Sequence, residues 1–111
     1  MALNAKARSR AATRRAGVAL DAYVIETLMP DLVGHDRRPS AFLVYLFLWH
    51  QTRGDRARSA PLSLQRIAEG TGISKRATQS ALRTLLRRRL VAVTRTGPTA
   101  APVYSVLRPW A

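Results

Sequence analysis

"LSLQRIAEGTGISKRATQSALRTLLRRRLVAV", residues 62–93, holds two helical patterns joined at a Gly70-Thr71-Gly72-Ile73 corner. Ser63 precedes the first pattern, residues 64–69, and Ser74 the second, which runs to Arg88. Each hydroxyl can accept from the free N–H groups of the helix it opens. Two helices that cross steeply through a short turn need small residues where their backbones approach. Ala68 and Gly72 stand there, and Gly72 also takes a left-handed conformation without steric cost. Ile67, Ile73, Thr78, Ala81, Leu82 and Leu85 then close over a shared core.

At about 100° per residue the second helix sorts into two faces. Thr78, Ala81, Leu82 and Leu85 share an arc of about 100°, and Lys75, Arg76, Gln79, Ser80, Arg83 and Arg87 share another of about 140°. The polar arc holds no acid. A solvated face ordinarily mixes signs, with Glu and Lys paired four apart. A cationic and amide face suits a phosphate-lined groove, where Arg grips guanine and Gln grips adenine in bidentate fashion.

The whole chain has the same bias. It has 111 residues, enough for one domain with a modest core, and 19 basic residues against 6 acids give a formal charge of +13. Such a surface attracts polyanions, nucleic acid first and an anionic membrane second. A GC-rich genome would explain Arg in place of Lys, but not the shortage of Asp and Glu. Charge is also segregated. Residues 1–17 carry five basic residues and no acid, residues 18–36 four acids and no Lys or Arg, and residues 59–111 nine basic residues and one acid, Glu69. The first segment reads as a basic arm. The acidic segment either neutralises the arm or is a solvated helix face.

Outside the corner, periodicity places an N-terminal helix over 18–33, with Val24, Ile25, Leu28, Met29 and Leu32 at helical spacing. Pro30 is out of place in its interior and either ends or kinks it. A second helix spans 40–53, opened by Pro39 and Ser40 and closed at Gly54. Its middle is apolar nearly all round, so it needs cover on more than one side, from the N-terminal helix, a second subunit, or both. A short strand falls at 60–62. Beyond the helix-turn-helix of 63–88, two strands connected through Gly97, Pro98 and Pro102 make a hairpin over 90–107. The fold class expected is mainly α with a small β hairpin, one domain over 18–111 after the arm.

"LQRIAEGTGISKRATQSALRTL" resembles the helix-turn-helix of bacterial winged-helix regulators, and is similar to the MarR and GntR classes and to helix-turn-helix domains of phage and plasmid replication proteins. The matching features are Ala68, Gly72, Ile73, the Ser74 cap and the apolar spacing beyond, and the similarity extends over about residues 40–107. It departs at Thr78, where Val or Ile is usual, and at Arg89, where Gly commonly precedes the strand. The resemblance implies a winged helix-turn-helix with an extra N-terminal helix. Its second helix would enter the major groove and its hairpin would touch the backbone or minor groove. By position, Lys75, Arg76, Gln79, Ser80 and Arg83 are candidate base readers, and Ser63, Arg66, Ser74, Arg87, Arg95 and Thr96, with Thr99 nearby, candidate backbone contacts.

Other chemistry is thin. Absence of cysteine excludes disulfides and thiolate sites and fits a cytoplasmic protein, and the DNA-binding expectation puts it at the nucleoid. His35 and His50 have no sequence-adjacent ligand cluster, His35 pairing with Asp36 in a loop, so no metal or cofactor is expected. Tyr45, Tyr104, Trp49 and Trp110 read as packing residues. No catalytic set is present, and no enzyme is expected. The longest apolar run, "AFLVYLFLW", is shorter than the ~20 residues that span a bilayer. The expectation is a homodimeric, sequence-specific binder of double-stranded DNA acting in transcription regulation, with no small-molecule substrate. A plasmid or phage replication or partition factor, an RNA-binding or ribosome-associated basic protein, and a protein-interaction module are the alternatives.

Overall fold

The computed structural model describes residues 17–55 and 58–111. Residues 1–16, which hold the basic arm up to Gly17, and residues 56 and 57 lie outside them. In chain order come an N-terminal helix, α1, made of the stretches Val24–Leu28 and Pro30–His35, then α2, Pro39–Thr52, and a short strand β1, Ala60–Pro61. Helices α3, Leu64–Thr71, and α4, Lys75–Arg87, follow, and then strands β2, Val91–Thr94, and β3, Val103–Val106. The fold is α+β. The hairpin is widened by β1 into a three-stranded antiparallel sheet of order β1-β3-β2, with Ala60 opposite Tyr104 and Val93 opposite Tyr104 from the other side. Pro61 is tolerated because β1 is an edge strand.

The expected span of α1, 18–33, is corrected at both ends: residues 17–21 are not helical, and the helix reaches His35. Pro30 does not end it. Both stretches are π-helical, with the Met29 N–H donating to Val24 O and the Asp36 N–H to Asp31 O. Proline has no N–H to give, and its ring crowds the carbonyl four residues back. Widening the turn to i→i+5 bonding accommodates both defects. Val24, Leu28 and Leu32 form the buried stripe.

The apolar helix α2 finds its cover within the chain. It packs against α1, α3, α4 and β3, and Val44, Tyr45 and Leu48 are fully buried. Each such side chain contributes roughly 1.5–3 kcal/mol. The Tyr45 hydroxyl donates to Leu107 O at 3.0 Å and Trp49 Nε1 to Ala19 O at 2.8 Å, so both rings are buried with their polar ends satisfied. Leu43 is left 43% exposed, so the chain covers most of α2 but not the whole of it.

Helix ends show where sequence chemistry sets geometry. Ser63 Oγ accepts from the Arg66 N–H and Ser74 Oγ from the Ala77 N–H, as expected of N-caps. Gly72 closes α3 at φ 80°. A Cβ there would meet nothing within 4 Å, so this glycine serves its dihedral angle and not a close helix crossing. The close approach is instead at Gly70, where a Cβ would lie 2.2 Å from the Phe47 ring of α2. Arg89 does not prevent a left-handed end to α4, because it adopts that conformation itself at φ 57°. The Leu90 N–H then donates to Leu85 O and the Arg89 N–H to Leu86 O, the paired bonds of a Schellman end.

The N- and C-terminal segments are clasped together. Asp21 accepts from Arg108 Nε and Trp110 Nε1, both at 3.0 Å. Tyr23 stacks on Trp110 with ring centroids 4.5 Å apart.

Candidate nucleic-acid interface

Two capped helices hold the site. The inward face of α4, Thr78, Ala81, Leu82, Thr84 and Leu85, is buried against α2 and α3. Thr78 is compatible with the core because its hydroxyl donates to Ser74 O at 2.8 Å, the back-bond expected of it. Thr84 is a further buried position, outside the apolar arc that helical spacing picks out.

Burial on that side directs the other outward. Lys75, Arg76, Gln79 and Arg83 are exposed, and Ser80 is half-buried. Of the backbone candidates, Ser63, Arg66, Ser74, Arg87, Arg95 and Thr96 are all exposed. None of the cations in these two groups has an ion-pair partner among the described residues. Ser63 and Ser74 have each spent a lone pair on their helix but retain an O–H to donate.

Four of these candidates line a groove of about 530 Å³ between α4 and the hairpin, and Ser80, Arg66, Ser74 and Arg87 lie outside it. Gln79 and Arg83 form one side, Arg95 and Thr99 the other, and Ser63 closes an end. Tyr104 lies at its base, where burial raises its phenol above the ordinary value and nearby Arg95 opposes that shift. Lys75 and Arg76 lie outside this groove, on the first turn of α4. Thr96 is in the hairpin loop and not among the groove residues.

Arg88 sets the attitude of α4, and no local pattern in the chain marks it for that role. It caps the helix C-terminus and reaches α1, with Nη2 2.6 Å from Asp31 and Nη1 bonded to Asp36. Three of the four acids in residues 18–36 are thus held within the fold, and the relation of this segment to the arm lies outside the described residues. Asp31 and Asp36 hold Arg88, and Asp21 holds Arg108. Asp36 lies below its usual 3.8, first through a hydrogen bond with the His35 ring and then through Arg88. Arg88 is in turn raised, chiefly by its bond to Asp31. Asp31, His35 and Asp36 are the donors close enough to share a metal among the described residues. The guanidinium already occupies both carboxylates, which leaves a divalent cation competing with a fixed positive charge.

Among the described residues no helix is long and apolar enough to cross a membrane. No family model, curated protein or solved structure matches the chain, so the site is interpreted from its own chemistry.

Proposed function

We propose that this chain is a winged helix-turn-helix protein that binds double-stranded DNA. In this reading α4 lies in the major groove, and the β2–β3 hairpin follows the adjacent backbone. The observation that carries it is the outer face of α4: Lys75, Arg76, Arg83 and Arg87, unpaired among the described residues, with Gln79 between them and no acid in the helix. Arg and Gln are the side chains with the forked donors and acceptors that base edges present. The serine caps supply short donors for phosphates beside the groove. Sequence-specific binding of this kind suits a small transcriptional regulator at the nucleoid, two copies reading a two-fold symmetric site.

The test is selection of genomic DNA fragments by the purified protein at near-physiological salt. Enrichment of one motif is the expected outcome, and its place, in a promoter or as iterated copies at an origin, separates regulation from replication. Tight binding without enrichment would overturn base reading. Preference for structured RNA over duplex DNA at equal salt would overturn DNA as the partner.

A further inference from the structure

The outward side of α1 is anomalous for a helix facing water. Between residues 22 and 34, the Tyr23 hydroxyl aside, the polar side chains that reach solvent are Glu26, Thr27 and Asp31, and Asp31 is bonded to Arg88. Ile25, Met29 and Val33, at four-residue intervals, are 43%, 37% and 39% exposed and form one strip along the helix. A solvated helix face normally carries charges, and a continuous apolar strip marks a contact surface.

We infer that this strip is where a second copy of the chain docks, α1 against α1, antiparallel, about a two-fold axis at Met29. Three observations select that occupant. Residues 1–16 have only Met1 and Leu3 as large apolar side chains among five cations, too little to cover the strip from the same chain. Two chains of charge +13 repel wherever their cationic faces meet, and residues 18–36, with four acids and no Lys or Arg, form the acidic stretch on which they approach without that cost. The ends of α1 are also complementary. Arg37 and Arg38, exposed and without ion pairs among the described residues, follow its C-terminus, and at its start stand Glu26 and Asp21, whose Oδ2 is bonded to Arg108 and Trp110. Antiparallel pairing sets Ile25 against the partner's Val33 and brings Arg37 toward the partner's Asp21. The same patch on both copies makes the contact isologous and closed. Because α1 is tied to α4 through Arg88, the pairing also fixes where two copies of α4 stand; that role rests on the DNA-binding reading, whereas the contact itself does not.

Sedimentation of the full chain over a wide concentration range tests it. The wild type gives a monomer–dimer equilibrium. Met29→Glu and Met29→Lys, each placing like charges across the axis, weaken it more than about tenfold with unchanged circular dichroism, and their equimolar mixture restores it. The chain has no cysteine, so Met29→Cys also oxidises to a covalent dimer, whereas Gln51→Cys on α2 does not. A wild type monomeric throughout, variants that associate like wild type, or a mixture that stays monomeric would each overturn the pairing. A dimer that binds no duplex overturns the DNA reading alone, and a monomer that selects a single half-site overturns the pairing alone.

Discussion

Arg89 stands where a backbone favours glycine, and it is not alone. Arg37, Arg53 and Arg89 have φ of 57°, 55° and 57°, each just after a helix. A side chain in this region costs on the order of 1–3 kcal/mol. A cation near the last carbonyls returns a few tenths to about 1 kcal/mol. Arg89→Gly should therefore raise stability by about 1 kcal/mol, read as a higher urea midpoint at unchanged slope. The sequence shows the missing glycine as a visible departure, but the winning term is not local: Leu90 and Leu85 are buried on either side of the turn and hold it closed. The candidate base readers make a second case at this scale. Arg76→Ala or Gln79→Ala should cost about 1–3 kcal/mol on the selected site and relax preference at one base position. An unchanged ranking of sites in competition assays would remove that residue from the readers. Asp36 gives the third. Its carboxyl is depressed in the fold, so its contribution is complete above the unfolded value near 3.8 and is lost as pH falls through the lower folded value. In a urea series against pH, Asp36→Asn should be less stable than wild type at neutral pH, and the two should converge in acid.

Between elements, the decisive approach is Phe47 lying on Gly70. Only a glycine lets α2 and α3 come this near. Gly70→Ala should cost about 1–3 kcal/mol by overpacking. Phe47→Ala has its own cost, but in the double mutant the two should be strongly non-additive, because removing the ring removes the clash. Equal and additive losses would mean the ring moves aside freely. Much of this level is legible beforehand. The serine caps, the corner and the apolar arc of α4 follow from rules of a few residues' range, and so does the need of α2 for cover. Which glycine sits at the helix crossing does not follow from such rules, since Gly70 and Gly72 look alike until a partner helix is placed. The course of α1 past Pro30 is likewise hidden, because proline's local penalty is met by a change in helix type.

For the molecule as a whole, charge segregation is readable in the sequence, but its use is not. The reach of Arg88 to Asp31 and Asp36 spans about half the chain, and no local pattern announces it. Among the described residues α4 and Arg95 of the hairpin keep an unpaired cationic field, and the sequence of residues 1–16 adds five basic residues. Deleting residues 2–16 should weaken all duplexes alike and flatten the dependence of log K on log salt by about 0.9 for each phosphate those residues neutralise. An unchanged slope in a titration series would mean they stay off the DNA. The clasp of Asp21 with Arg108 and Trp110 has a kinetic consequence. It closes a loop 87 residues long, among the most entropically costly contacts to form and hence formed late in folding. Each segment is also tied to α2, Ala19 O by Trp49 and Leu107 O by Tyr45, so the clasp joins two ends that are already anchored nearby. Asp21→Asn removes the acceptor that Arg108 and Trp110 share, and should speed deuterium exchange near residues 21–23 and 108–111 together while the core amides are unchanged.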